Sequence, residues 1–327
     1  MFSVPEIYMS IARRAARIVP AGLCCFLTVA ARAAPAASNA SAPTQIQMAN
    51  VLFRYSASLS VQIVALQGSL LPAPGHQIAS FNDASSFEVA TDAAEMRMSG
   101  EQISALMNDW LLRSPKAQLK NVRVSIEGQS LHIRGTMKKG IHIGFDALAD
   151  AGVTSDNRIR FSVRKVKAVG IPVKGLMDSF GLEMDNLVSQ KGLNGMSVDK
   201  DSFLIDPRTA FPAPHIRGKL AGVRVAGGVL VITFGSGMPH GTHAPARNYM
   251  AMRGGSLQYG RDTMANADLT MIDSTPADLF DFYLHDYWCQ IVAGTIKATP
   301  GQGWIVHVVD YAKLPRGACK SGAPEGH

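Results

Sequence analysis

The chain has 327 residues, of which 47% are hydrophobic and 17% charged, and a formal charge of +7. That is ample for a large core, in one elongated domain or two. Thirteen Lys/Arg against four Asp/Glu lie between Arg113 and Lys174, whereas the rest of the chain after residue 33 is net acidic. The asymmetry points to a surface that meets anions. It argues against nucleic acid as a partner, because aromatic side chains are not interleaved on that stripe as stacking platforms.

Residues 1–33 read as a secretory signal peptide. Arg13, Arg14 and Arg17 form its positive region, Ile18 to Ala30 its apolar run, and Ala31-Arg32-Ala33 its small-residue cleavage site. A start at Met9 gives a cleaner signal than Met1. The apolar run is about half of the roughly 20 residues that span a bilayer, and no later segment is long and apolar enough to do so. Leu23 and Cys24 precede Cys25 where a lipoprotein signal needs a small residue. Cleavage near Ala33 places the protein in the periplasm or outside the cell. Cys289 and Cys319 then remain, and an oxidising compartment predicts that they pair as a disulfide.

Residues 34–50, rich in Ala, Ser, Pro and Asn, read as a flexible leader. Leu59, Val61, Ile63 and Ala65 alternate as in a strand, which Leu71-Pro-Ala-Pro-Gly75 ends; Phe87 to Met98 forms another. Ser99-Gly-Glu-Gln102 has the spacing of a capping box. Behind it Ile103, Leu106, Met107, Trp110 and Leu111 fall on one helical face, and Pro115 blocks extension. Val122, Val124 and Ile126, then Leu131 and Ile133, alternate about Gly128-Gln129. A type II′ turn there sets Ile126 opposite Leu131 and Val124 opposite Ile133. On the polar face it sets Arg123 opposite Arg134, an unfavourable pairing unless an anion or solvent relieves it.

The alternation continues through Ile141, Ile143 and Phe145, and through Ile159, Phe161 and Val163. It slips phase at Arg164-Lys165, which predicts a bulge and added curvature. Pro172 opens a second amphipathic helix carrying Val173, Leu176, Met177, Phe180, Met184, Leu187 and Val188, loosened by Gly175 and Gly181. Strands are expected at Met196–Asp206, Lys219–Val225 and Val229–Phe234, and mostly β structure over Met250–Asp273 and Phe280–Val309, with Pro300-Gly-Gln-Gly303 turning a hairpin.

No catalytic cluster interrupts these elements. His240 and His243 are two ligands where a zinc site needs three or four. The acidic run from Asp262 to Asp286 lacks the spacing of a calcium loop. Gly235-Ser236-Gly237 is not a nucleophile elbow. We expect no enzyme activity, no metal and no cofactor. The abundant methionines read as core filling.

From Ser99 to about Phe234 the chain resembles the LmeA-like family of envelope phospholipid-binding proteins. The matching order is helix Glu101–Leu112, hairpin Val122–Met137, strands Ile141–Ala147 and Ile159–Val169, a step at Gly170-Ile-Pro-Val173, then helix and strands ending in Gly228-Val-Leu-Val-Ile-Thr-Phe234. The resemblance implies a tubular lipid-binding architecture, in which a curved antiparallel sheet wraps a helix and leaves an apolar tunnel.

The expected fold is therefore α+β: a curved, mainly antiparallel sheet wrapping one or two amphipathic helices, with a β-rich C-terminal extension. After the leader, a lipid-binding-like domain covers 51–236, and a β-rich region covers 248–327, either within the same sheet or apart from it. The expected function is non-catalytic binding of a lipid or other apolar molecule in the cell envelope, for lipid transfer or envelope maintenance. Leu106, Trp110, Leu176, Phe180 and Leu187 are the expected pocket lining. Arg123, Arg134, Arg158, Arg160 and Arg164 are the expected contacts to an anionic membrane surface. The alternative is an envelope scaffold or protein-interaction β protein with a filled core.

Overall fold

The computed structural model of the protein describes residues 42–139, 141–169, 195–237, 246–301 and 303–315. The first half holds β1 (Thr44–Arg54), β2 (Ser60–Pro72), β3 (Ala79–Ser80) and β4 (Phe87–Met98). Helix α1 (Gly100–Ala105) follows and runs into a π-helical turn (Leu106–Leu111). Next come β5 (Leu119–Glu127), β6 (Ser130–Lys139), β7 (Ile141–Val153) and β8 (Ile159–Val169). The second half holds β9 (Met196–Asp199), β10 (Ser202–Ile205), β11 (His215–Arg217), β12 (Leu220–Ala226), β13 (Val229–Gly235), β14 (Tyr249–Gly254), β15 (Leu257–Tyr259), β16 (Asp262–Met264), β17 (Ala267–Asp273) and β18 (Phe280–Tyr283). Helix α2 (Tyr287–Val292), β19 (Thr295–Ala298) and β20 (Trp304–Val308) close it.

The strands form three sheets. An eleven-stranded sheet runs β12-β13-β4-β2-β1-β14-β17-β20-β19, with β11 added on β4 and β18 on β1. A six-stranded sheet runs β5-β6-β7-β8-β10-β9, and a small one runs β16-β15-β3. Most pairs are antiparallel; β18 on β1, β11 on β4, β20 on β17 and β15 on β3 are parallel. The architecture is thus strand-dominated and mainly antiparallel. Its helical share among the described residues is two α-helices of six residues each, the π turn and three single 3-10 turns at Ala84–Ser86, Leu284–Asp286 and Tyr311–Lys313. The second helix expected from Pro172 to Val188 lies outside the described residues.

Two boundaries change. The leader expected over 34–50 is cut short, because β1 starts at Thr44 and lies between β2 and β14, inside the large sheet. Ile46 and Met48 are buried there while Gln45 and Gln47 face away, an alternation that the flanking Ala, Ser and Pro obscured. At Asn50, which has a positive φ of 52°, the strand changes neighbours. Residues up to Ala49 pair with β14 and those from Val51 with β18. Accordingly, the region after 248 is not a separate module. Its strands β14, β17, β18 and β20 complete the sheet that β1, β2 and β4 begin.

Local chemistry explains the six-stranded sheet. Glu127 and Ser130 pair across a two-residue turn with Gly128 at φ 61°, and Ile126 opposes Leu131, Val124 opposes Ile133 and Arg123 opposes Arg134. A left-handed first turn residue is what a type II′ hairpin requires. In β8 the register against β7 steps from Lys165 to Val163, so Arg164 is the extra residue of a bulge. Apolar parity is thereby restored on both sides of it, with Val163 and Val166 opposite Ala149 and Ala147. Nine methionines, from Met48 to Met271, are buried core residues.

Candidate apolar ligand site

The site is built where the chain leaves the large sheet for the six-stranded one. Ser99 and Gln102 form a reciprocal cap. The Gln102 amide N–H donates to Ser99 Oγ at 3.2 Å, and the Ser99 N–H donates to Gln102 Oε1 at 2.8 Å. Gln102 Nε2 also donates to Ser60 Oγ at 3.1 Å, which ties the helix start to β2. Gly100 lies so close to β5 that a Cβ there would stand 2.3 Å from the Val124 carbonyl oxygen. Only glycine permits that approach.

Two polar side chains of the helical segment then bond to the backbone of β5, the outer strand of its sheet. The Val124 N–H donates to Ser104 Oγ at 2.8 Å. Asn108 accepts from the Val122 N–H at 2.9 Å and donates to the Val122 carbonyl at 2.6 Å and the Ser104 carbonyl at 2.8 Å. The unpaired edge of β5 is thereby satisfied by side chains rather than by another strand. At the end of the segment the Leu112 N–H reaches back five residues to the Met107 carbonyl, at 2.8 Å, the wide spacing of a π turn.

Beneath this segment lies a narrow apolar cleft with a cavity volume of about 30 Å³. Ile103 and Met107 form one wall, and inward-facing residues of β5 to β8 and β10, among them Val124, Ile133, Ala147 and Phe161, form the rest. Every lining side chain is hydrocarbon or thioether.

The expected lining residues are placed differently. Leu106 is buried in the core and Trp110 is half-buried against it, whereas Ile103 and Met107 of the same stripe line the cleft. A broad stripe packs against more than one wall, and sequence spacing does not say which row meets which wall. Leu176, Phe180 and Leu187 lie outside the described residues.

The other face of β5 to β8 is polar and carries the expected anion contacts. Four of the five are ion-paired. Arg134 Nε lies 3.0 Å from Asp146, Arg158 Nε donates to Asp156 at 2.7 Å, Arg160 is 3.9 Å from Asp199 and Arg164 is 2.7 Å from Asp150. Arg123 has no ion-pair partner among the described residues. Asp146 on the next strand therefore neutralises Arg134 of the Arg123–Arg134 pair and leaves Arg123 unmatched among the described residues. Sequence reading missed the central polar group of this face, His132, which is buried between two acids. Its Nδ1 is 2.8 Å from Glu127 and its Nε2 2.6 Å from Asp146. The bonds to Asp146 and then to Glu127 hold the imidazole above its ordinary pKa. Burial opposes ionisation of Asp146, but bonds from His132 and Arg134 outweigh it and keep that carboxyl below the ordinary range. With both ring nitrogens engaged by carboxylates, His132 is a strap across β5, β6 and β7.

Elsewhere, carboxylates of Asp273, Asp278 and Asp310 converge within 4.8 Å. The Lys313 ammonium already lies among them, 2.8 Å from Asp310 and 2.9 Å from Asp278, and it holds the Asp278 carboxyl below the ordinary range. His240 and His243 lie outside the described residues. Cys289 is buried in α2, and its expected partner Cys319 lies outside the described residues. Comparison with family models, curated proteins and solved structures finds no match to this chain.

Proposed function

We propose that this chain is an exported, non-catalytic binding protein that holds an acyl chain or similar apolar molecule in the cleft between α1 and the six-stranded sheet. The observation that carries the reading is the lining of the cleft: thirteen side chains, all apolar, around a cavity of about 30 Å³ that has to widen to admit a chain. Such walls offer burial and no hydrogen bond, which suits a hydrocarbon chain. Burying a methylene contributes about 0.8 kcal/mol. About ten methylenes therefore correspond to about 8 kcal/mol, the level of a micromolar Kd, before ordering costs. The resemblance of 99–234 to the LmeA-like family implies the same ligand class, and with it a sheet that wraps its lipid.

Titration with a fluorescent fatty acid tests the reading. Saturable binding that an unlabelled acyl chain displaces is expected, and at least a tenfold loss in Ile133→Trp, which fills the cleft from β6. Linear, unsaturable uptake by a folded protein returns the scaffold reading. Two companion proposals belong to the same compartment. N-terminal sequencing of the mature protein is expected to start near Ala34, and non-reducing peptide mapping to recover Cys289 joined to Cys319.

A further inference from the structure

We infer that one corner of the outer face of β5 to β8 is a docking surface for an anionic lipid bilayer. The inference goes beyond the cleft reading and leans on it in one respect, the choice of a bilayer over other polyanions. The outward positions follow from the register. Lys120 opposes Thr136, Arg123 opposes Arg134, Arg134 opposes Asp146, and Asp146 opposes Lys167. Lys165 opposes Leu148, one row further along, and Lys138 extends the same face of β6 at the other side. Lys120, Arg123, Lys138, Lys165 and Lys167 are exposed, and none has an ion-pair partner among the described residues. With strands about 4.8 Å apart and a rise of about 3.3 Å per residue, these five cations fall within a patch roughly 15 Å across the strands and 20 Å along them.

The rest of the same face behaves differently. Beyond His132 the cations are matched: Arg164 by Asp150, Arg160 by Asp199 and Arg158 by Asp156. In the corner the one central acid, Asp146, is already bonded by His132 and Arg134. Like charges on neighbouring strands destabilise a sheet unless an anion screens them. Unpaired cations gathered at one end, beside paired ones at the other, therefore mark the end that meets an external anion. The face carries no Phe, Tyr or Trp among these outward positions, so it lacks the large stacking platforms that bases use. Its reverse carries the apolar cleft, which a lipid phase would supply.

The test is co-sedimentation of the full-length chain with vesicles of phosphatidylcholine, alone or with 30% phosphatidylglycerol. We expect at least tenfold preference for the anionic vesicles at 0.1 M salt, lost at 0.5 M as screening sets in. Each cation at an anionic surface adds roughly fivefold to partitioning (about 1 kcal/mol). Lys165→Gln/Lys167→Gln is therefore expected to weaken binding roughly thirtyfold. Arg158→Gln/Arg160→Gln removes the same charge from the paired end and is expected to change it less than threefold. Circular dichroism checks that both variants are folded. No vesicle preference, equal losses in the two pairs, or tighter binding to oligothymidylate than to anionic vesicles would each overturn the inference. Fatty-acid binding separates it from the cleft reading. The lysine variant is expected to keep that binding, and Ile133→Trp to lose it while still sedimenting with anionic vesicles.

Discussion

In the large sheet, Phe53 of β1 packs on Phe282 of β18, with ring centroids 6.1 Å apart, and Phe280 packs on Phe282 at 5.7 Å. Both β18 rings are fully buried. Buried polar groups hold that packing in place. Arg54 binds the Asp281 carboxylate through two nitrogens, at 2.5 and 3.0 Å. Gln290, with 0% exposure, accepts from the Tyr283 N–H at 2.8 Å and donates to the carbonyls of Asp281 and Val309 at 2.7 and 2.9 Å. In the six-stranded sheet the inward face of β5 to β8 is as apolar, and among the described residues the helical segment that meets it is one short α segment opening into a π turn. Its polar bonds go to the strand edge, not across the cleft. Similar alternation thus leaves an apolar hollow in each sheet, of about 30 Å³ in both, the one in the large sheet lined by Phe53, Phe282 and Met250 among others. The difference lies in the walls: buried polar bonds tie the strands around the first, and an edge-capping helical segment is one wall of the second.

The largest effect expected from breaking this contrast is in the large sheet. Gln290→Ala strands a buried N–H and two buried carbonyls, each costing about 1–3 kcal/mol. Denaturant unfolding is expected to lose about 3–4 kcal/mol, with fatty-acid affinity in the folded protein unchanged. A loss below 1 kcal/mol would mean that the network does not lock the core. Asn108→Ala acts on the other region. It removes the bonds to Val122 and Ser104, so we expect about 2–3 kcal/mol lower stability. Here the fatty-acid affinity is also expected to shift, because α1 is one wall of the cleft. An unchanged affinity would separate the edge cap from the site.

The strap at His132 gives the smallest effect, about 1 kcal/mol, because Glu127 is exposed to solvent. Its folded pKa is raised, so its contribution is complete below the ordinary histidine value of about 6.5 and fades as pH rises through the folded value. The depressed Asp146 carboxyl acts oppositely. Its contribution is complete above the ordinary aspartate value and fades as acid protonates it. Urea midpoints are expected to fall between pH 5.5 and 8.5, and to fall less in His132→Gln. Equal slopes in the two proteins would remove His132 from the account.

What was legible in the sequence was local. The Ser99–Gln102 cap, the Gly128 turn with its register and the bulge at Arg164 each depend on residues a few positions apart, where spacing and turn chemistry decide the outcome. What was not legible depends on partners far along the chain. Thr44–Asn50 pairs with nearby β2 on one side, but its other side is closed by Tyr249–Arg253, two hundred residues later. Which arginines are neutralised depends on Asp146, Asp150 and Asp199 arriving on neighbouring strands, so a count of cations located the basic face but not its unpaired corner. For the same reason Ile103 and Met107, rather than Leu106 and Trp110, line the cleft. The helical stripe shows that a face is apolar, and only the tertiary arrangement shows which wall each row meets.

The most direct test of the central claim is fatty-acid titration of the wild-type chain beside Ile133→Trp, with unfolding measured on both. The account predicts saturable, displaceable binding in the wild type and at least a tenfold weaker Kd in the variant, at a stability cost below about 2 kcal/mol. Equal affinity in the two folded proteins would contradict it.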